Sequence, residues 1–223
     1  GYMMRQAIPK FIGLSAVMSV AALVILSLIP PETWAAMRPA TCLETGCFCE
    51  AVSTQQPIRQ PSNTVSSLAF AVVGVWVLLQ NRPAAPHPFG RPHRLMFGVS
   101  ALVIGLGSAF YHASMTFTGQ FFDILGMYLL TGLMWVYALQ RIGGCGTWLA
   151  ALIYLALNAG LTVVQLGIPE TRRFVFGLVL MLALLSEVWV WQRVKPARAY
   201  RWLWAGLGIF GAAYAVWVLD DSH

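Results

Sequence analysis

One apolar stretch of the chain carries a serine and a histidine four residues apart. Ser108 and His112 lie in GSAFYHASM, and Asp123 follows in QFFDILGM, near the start of the next apolar stretch. Four residues are close to one turn of an α-helix, so Ser108 and His112 share a helix face. Ionisable side chains at membrane depth are costly and usually mark function. These three residues are therefore the first candidates for a chemical site.

The short connection between the two stretches predicts how these residues meet. The segment ASMTFTGQF forces the flanking helices to be antiparallel neighbours, which places His112 and Asp123 at similar depth. A histidine, a carboxylate and a hydroxyl at one depth can hold a zinc ion and its bound water. The pattern therefore makes His112 a candidate zinc ligand.

The same three residues fit the hydrolysis of an amide. Zinc lowers the pKa of a bound water to about 7 and so supplies hydroxide. A nearby carboxylate can pass the proton of that water to a leaving amine, and a serine hydroxyl can stabilise the oxyanion. Asp123 and Ser108 fit these two catalytic roles. A site at membrane depth suits a lipid amide.

Ser108 and His112 also have an ordinary structural interpretation. A histidine in a membrane helix can simply hydrogen-bond to a neighbouring helix, and a serine often bonds back to the carbonyl one turn earlier. The shared face of Ser108 and His112, together with the nearby Asp123, favours the functional interpretation.

The composition predicts an all-α, polytopic membrane protein that forms a single integral membrane domain over residues 1–223. The chain is 58% apolar and 10% charged, whereas soluble domains carry about 25% charged residues. Seven stretches are long enough to cross a bilayer, since about 20 residues do so. They lie near residues 8–30, 62–80, 95–113, 121–139, 147–167, 171–192 and 200–219.

The basic residues predict an orientation rather than a nucleic-acid partner. The net charge is +6, but no basic and aromatic residues alternate as in a nucleic-acid surface. With a cytoplasmic N-terminus, the cytoplasmic side receives most of the basic residues, as the positive-inside rule requires. These are Arg5, Lys10, Arg82, Arg91, Arg94, Arg141, Arg193, Lys195, Arg198 and Arg201. The candidate site and the loop 31–61 then face the non-cytoplasmic side.

Two features near the N-terminus keep alternatives open. The first apolar stretch could be a signal peptide, although its length favours a retained helix. In the loop 31–61, Cys42 could form a disulfide with Cys47 or with Cys49, which would leave one of the three cysteines unpaired. Cys47 and Cys49 could instead bind a metal, and Cys145 is expected to be an inert thiol.

A second polar segment, CFCEAVSTQQPIRQPSNTVSSLAF, leads into the helix that begins near Pro61. Ser62 or Asn63 could be an N-cap of that helix, and Glu50 could be an ordinary loop carboxylate. A hard cation would need several oxygen ligands here, and the segment carries few acidic side chains.

The runs PSNTVSSLAF, GLGSAFYHASM and QFFDILGMY resemble the alkaline ceramidases, which belong to a superfamily that includes the adiponectin-type receptors. The late WVLDD, with Asp220, also resembles the end of the family's penultimate helix. The resemblance implies a membrane hydrolase with His112 as a zinc ligand, Ser108 near the zinc and Asp123 handling the proton. It also implies a calcium-binding segment that contains Glu50.

The chain departs from the family pattern in three respects. An additional N-terminal helix precedes six family-like helices. The family completes its zinc site with a His-x-x-x-His pair on its last helix, and no such pair occurs here, so we expect the natural chain to continue beyond His223. Gln60 stands where the family has an acid, which weakens the implication of calcium.

The leading hypothesis is a zinc-dependent hydrolase that cleaves ceramide-like lipids to a sphingoid base and a fatty acid. Its partners would be this lipid amide substrate and the surrounding membrane lipids, with no nucleic acid. One alternative is a seven-helix lipid-sensing receptor of the adiponectin-receptor type. Another is a non-catalytic membrane protein, a transporter or a structural component, in which Ser108 and His112 only make packing contacts.

Overall fold

The computed structural model describes residues 2–43, 48–80, 90–194, 204–212 and 215. Regular structure within these ranges is helical, apart from one isolated β-bridge between Pro39 and Thr116. The helices are α1 (Tyr2–Ser27), α2 (Pro31–Ala35), α3 (Pro61–Leu79), α4 (Arg91–Ser114), α5 (Phe117–Arg141), α6 (Thr147–Gly167) and α7 (Arg172–Val194). A 3₁₀ turn, Pro169–Thr171, precedes α7, and residues 204–212 are also helical. The all-α prediction is confirmed.

Six helical segments of the described residues are long and apolar enough to cross a membrane. They are Ile8–Ser27, Pro61–Leu79, Arg91–Ser114, Phe117–Arg141, Thr147–Gly167 and Pro169–Arg193. The chain is therefore an integral, multi-pass membrane protein. The predicted count of seven exceeds the six found, because half of the predicted span 200–219 lies outside the described ranges.

The turn between α4 and α5 is shorter than the sequence suggested. α4 ends at Ser114, and Met115 adopts a left-handed conformation with φ of 48°, from which its N–H donates to the Tyr111 carbonyl at 2.7 Å. Thr116 then caps α5, since its hydroxyl accepts from the Gly119 N–H at 3.2 Å. Two residues thus reverse the chain, and the predicted antiparallel pairing of the two helices is confirmed.

Small residues let the backbones of α3, α4 and α5 touch. A Cβ placed on Gly105 would lie 2.3 Å from the backbone nitrogen of Ala71 in α3. A Cβ on Gly126 of α5 would lie 2.6 Å from the backbone nitrogen of Ile104 in α4. Membrane helices use such residues to approach closely. α4 is consequently fixed between its two neighbours, which determines the placement of its polar side chains.

The segment from α2 to α3 folds over the end of the bundle where α4 turns into α5. Phe117 N–H donates to the Arg38 carbonyl at 2.8 Å, and Ala40 N–H donates to the Met115 carbonyl at 3.1 Å. The indole N–H of the buried Trp34 donates to the Pro57 carbonyl at 2.7 Å. The predicted loop 31–61 therefore contains a short helix, α2, and lies at the same end of the bundle as the candidate site.

The opposite end of the bundle carries its own polar contacts. Arg141 of α5 and Glu187 of α7 form an ion pair. Nε2 of His93 lies 2.8 Å from Oε1 of Gln140. A cavity of about 400 Å³ lies among the helices at the same end of the bundle. Its lining is mostly apolar: Trp76, Val77, Gln80, Arg94, Phe97, Leu133, Met134, Tyr137 and Glu187.

Candidate active site

Ser108 of α4 and Asp123 of α5 are brought together by the close approach of their helices. A Cβ on Gly107 would lie 2.8 Å from the carbonyl carbon of Phe122 and 3.0 Å from the nitrogen of Asp123. The adjacent Ser108 hydroxyl is a hydrogen-bond donor to the Asp123 carboxylate. The Ser108 Oγ also lies 3.1 Å from the Oγ of Ser67 in α3. The predicted pairing of hydroxyl and carboxylate is thus present.

His112 lies one turn beyond Ser108 and is held by Gln60, not by Asp123. Its Nδ1 lies 2.7 Å from Oε1 of Gln60. The other amide atom of Gln60, Nε2, donates to the carbonyl of Glu50 at 2.6 Å, which fixes the orientation of the amide. An amide oxygen can only accept, so Nδ1 of a neutral His112 carries the proton. Its Nε2 then has a free lone pair, as a metal ligand requires.

Two aromatic rings enclose the imidazole of His112. The Phe48 ring meets it edge to face, with centroids 4.6 Å apart, and the Tyr111 ring lies 5.1 Å away. His112 is only 8% exposed as a result. Phe48 belongs to the segment that folds over the bundle, so this segment forms one wall of the site.

Glu50 is a helix cap supplied from outside the helix. Its two carboxylate oxygens accept the backbone N–H groups of Ser62 at 2.7 Å and Asn63 at 2.8 Å. Partial burial by itself raises the pKa of Glu50, but the hydrogen bonds from Asn63 and Ser62 outweigh it and hold the pKa below 4.5. The N-cap residue is Gln60, and its side chain makes no capping bond. The expectation that Ser62 or Asn63 is the N-cap is therefore wrong.

The described residues supply only part of a zinc site. No group of three or more His, Cys, Asp or Glu side chains within those residues could hold a metal ion. Nε2 of His112 has the chemistry of a ligand, while His93 lies at the opposite end of the bundle. Zinc bound at His112 would therefore need further ligands from outside the described residues.

The residues around Glu50 do not fit calcium. Calcium takes six to eight oxygen ligands, and Glu50 is the single carboxylate between Phe48 and Pro61. Both of its carboxylate oxygens already accept backbone N–H groups, and its main-chain carbonyl accepts the Gln60 amide. The donors present at this point are N–H groups, which a cation would have to displace.

The loop cysteines are not equivalent. Cys42 is disulfide-bonded, whereas Cys49 and Cys145 are free thiols. The pairing of Cys42 with Cys49 is therefore wrong, and Cys47 lies outside the described residues. The Sγ of Cys42 lies 3.0 Å from the Tyr111 hydroxyl, which must be the donor because a disulfide sulfur has no proton. This contact connects the disulfide to the residue next to His112.

Two residues at the site, Arg172 and Gln60, make contacts that the sequence does not predict. Arg172, at the start of α7, is 7% exposed and interacts electrostatically with Asp123, a contact that no sequence motif indicates. Gln60 departs from the family pattern in sequence, but nothing in the sequence predicts its contact with His112. The backbone N–H groups of Arg59 and Gln60 donate to the carbonyls of Ala113 and His112. No local sequence pattern indicates this pairing, because the two segments are far apart along the chain.

The fold and this site define an integral membrane protein with a buried imidazole and a partly buried hydroxyl and carboxylate at one end of its helical bundle. The sequence model of the ceramidase family matches residues 48–223, and the chain belongs to that family. The match begins after α1 and α2, in agreement with the predicted additional N-terminal helix.

A similar curated protein is the Dictyostelium discoideum protein named "Putative alkaline ceramidase dcd3A", which is 27% identical. The alignment covers 67% of this chain and 62% of the length of that relative. This chain therefore matches less than two thirds of the relative. No solved structure matches the chain.

Proposed function

We propose that this protein is a zinc-dependent hydrolase that cleaves the amide bond of ceramide-like lipids to a sphingoid base and a fatty acid. The observation that carries the proposal is the pairing of Ser108 with Asp123, one helical turn from a histidine whose Nε2 is free. Membership of the ceramidase family and the name of the curated relative support the choice of a lipid amide.

The chemistry divides among the three side chains. A zinc ion held by His112 would supply an activated water as the nucleophile. Asp123 would act as the base for the attacking water and would return the same proton to the leaving amine nitrogen, so that the carboxylate gains and loses no net proton. The Ser108 hydroxyl, which donates to Asp123 at rest, donates to the oxyanion when it forms.

Arg172 adds a fixed positive charge near the catalytic carboxylate. Its guanidinium is anchored through Nη1 to the Pro169 carbonyl at 3.1 Å. The Tyr128 hydroxyl of α5 donates to the Arg172 carbonyl at 3.4 Å, which connects the start of α7 to α5. The positive charge of the buried Arg172 favours the ionised form of Asp123, which is the form that can accept a proton.

The mostly apolar cavity at the opposite end fits a hydrocarbon chain of the substrate. Phe97 in its lining lies eleven residues before Ser108 on α4, which corresponds to about 16 Å along the helix axis. Trp76, Leu133 and Met134 complete an apolar surface there. A lipid whose amide lies at Ser108 would reach toward this cavity with one of its tails.

The test is ceramide hydrolysis by the full-length chain in lipid nanodiscs loaded with zinc. We expect Asp123→Asn to lower kcat by about 10²–10⁴-fold, Ser108→Ala by about 10²–10³-fold, and His112→Ala to abolish activity.

Two matched control variants show whether these losses of kcat are specific to the site residues. Ser100→Ala removes another buried serine of α4, which bonds back to the Met96 carbonyl at 2.7 Å. Glu32→Gln removes an exposed carboxylate of α2 at the same end of the bundle. Both should leave kcat unchanged. Hydrolysis at the parent rate by His112→Ala and Asp123→Asn would overturn the proposal, and binding of ceramide without turnover would favour the receptor alternative.

A further inference from the structure

Gln60 is the central residue of a hydrogen-bonded chain between the helix cap and the candidate zinc ligand. It is fully buried, with 0% of its surface exposed. Its Nε2 donates to the Glu50 carbonyl at 2.6 Å, and its Oε1 accepts from His112 Nδ1 at 2.7 Å. Its backbone N–H also donates to the His112 carbonyl at 3.1 Å. One residue thus holds both the side chain and the backbone of His112.

The same residue occupies the place where the family resemblance implies a second cation. A glutamate at position 60 would add a carboxylate facing the Glu50 carbonyl, and oxygens in this arrangement attract calcium. A glutamine presents an NH₂ group to that carbonyl instead, and the side chains next to Glu50 in the chain, Cys49, Ala51 and Val52, offer no oxygen. The amide makes internally the contact that a cation would otherwise make.

We propose that Gln60 replaces calcium in this protein. It connects the Glu50 cap to His112 through hydrogen bonds alone and holds the imidazole with its proton on Nδ1 and its lone pair on Nε2. Gln60 is therefore a positioning residue that acts through His112, and the fold of this end of the bundle is independent of calcium. The link itself stands on these contacts, while its use in catalysis rests on the proposed ceramidase function.

The first experiment compares thermal unfolding of the full-length chain in calcium chloride and in EGTA. We expect the same Tm in both for the parent chain. Gln60→Glu places a second carboxylate beside Glu50, so its Tm should fall in EGTA and recover in calcium. Binding of ⁴⁵Ca should follow the same pattern, with none retained by the parent. A parent Tm that rises with calcium, or one bound calcium per parent chain, would overturn the replacement.

The second experiment observes the tautomer of His112 directly. In zinc-free protein labelled with ¹⁵N-histidine, the His112 signal, identified by its loss in His112→Asn, should show the proton on Nδ1. Gln60→Met, which removes the acceptor but keeps the volume, should give a mixture of tautomers. Gln60→Glu should restore the Nδ1 proton, because a carboxylate oxygen also accepts it.

A matched control variant shows whether the effects are specific to Gln60, and both measurements are independent of ceramide hydrolysis. Gln55→Met changes an exposed glutamine of the same segment and should alter neither the Tm nor the His112 signal. An unchanged His112 tautomer in Gln60→Met would overturn the positioning role. If Gln60→Met does not fold, the calcium response of Gln60→Glu still decides the proposal. Neither readout uses ceramide, so a chain that hydrolyses no ceramide would refute the proposed function alone.

Discussion

The backbone of Gly107 in α4 lies directly against the peptide that joins Phe122 to Asp123 in α5. A Cβ on Gly107 would lie 2.8 Å from both the carbonyl carbon and the oxygen of Phe122. Backbone atoms in the middle of a helix cannot move aside as a flexible side chain can. The distance between Ser108 and Asp123 therefore depends on the absence of a side chain at position 107.

Gly107→Ala should separate the two helices and damage the site. Forcing a methyl group into this contact costs about 1–3 kcal/mol of stability, and the displacement weakens the Ser108–Asp123 hydrogen bond. We expect a lower Tm and a reduced kcat for ceramide. Gly160→Ala in α6 is the control, since nothing lies within 4 Å of a Cβ there. Equal Tm and kcat for Gly107→Ala and the parent would show that the close approach is unimportant.

The parts of the fold that follow from local sequence were predictable. Apolar runs of membrane length marked the helices, and the short connection after His112 placed Asp123 at the depth of Ser108. The boundaries differ because caps determine them. α5 begins at Phe117 and not near 121, since Thr116 caps it immediately after the left-handed Met115.

The partners of the site residues depend on a long-range fold that periodicity does not reveal. Gln60 precedes His112 by 52 residues, and the two meet only because the segment before α3 folds back over the end of α4. Local capping preferences predict Ser62 or Asn63 as the N-cap of α3. The chain uses Glu50 instead, twelve residues before Ser62, a separation for which no local pattern exists.

Glu50→Gln should remove an acid-sensitive part of the stability. Because the folded pKa of Glu50 is lowered, its ionised form stabilises the protein above pH 4.5, and this contribution is lost as the pH falls through the folded pKa. The substitution keeps one acceptor but turns an N–H donor toward the helix, at a cost of about 0.5–2 kcal/mol.

The measurement is Tm as a function of pH for the parent and for Glu50→Gln. The difference between the two should be largest near neutral pH and should shrink on acidification to about pH 3.5. Glu32→Gln, which removes an exposed carboxylate in α2, should follow the parent at every pH. A constant difference between parent and Glu50→Gln across this range would contradict the capping role of the ionised carboxylate.

Trp34→Phe should loosen the segment that covers the site. The indole N–H bonds to the Pro57 carbonyl, and the ring, 3% exposed, packs 5.8 Å from Phe110. Loss of the donor leaves the partly buried Pro57 carbonyl without this hydrogen bond, at a cost of about 1 kcal/mol. Amide hydrogens of residues 53–60 should exchange faster. Trp148→Phe, at a position 86% exposed, should change neither exchange nor Tm, and similar behaviour of the two variants would refute the role of Trp34.

Two cysteines that are free among the described residues, Cys49 and Cys145, can determine the orientation of the site in the membrane. Cys49 is exposed in the segment that covers the site, whereas Cys145 lies between α5 and α6 at the opposite end of the bundle. If the N-terminus is cytoplasmic, as the basic residues predict, Cys49 faces the non-cytoplasmic side and Cys145 faces the cytoplasm.

A membrane-impermeant maleimide applied to sealed right-side-out vesicles should therefore label Cys49 and spare Cys145. Cys49→Ser should abolish this labelling, and Cys145→Ser should leave it unchanged, so that each variant is the control for the other. Inside-out vesicles should give the reverse pattern through the partly buried Cys145. Labelling of Cys145 in right-side-out vesicles would place Ser108, His112 and Asp123 toward the cytoplasm, and the positive-inside assignment of this chain would then be wrong.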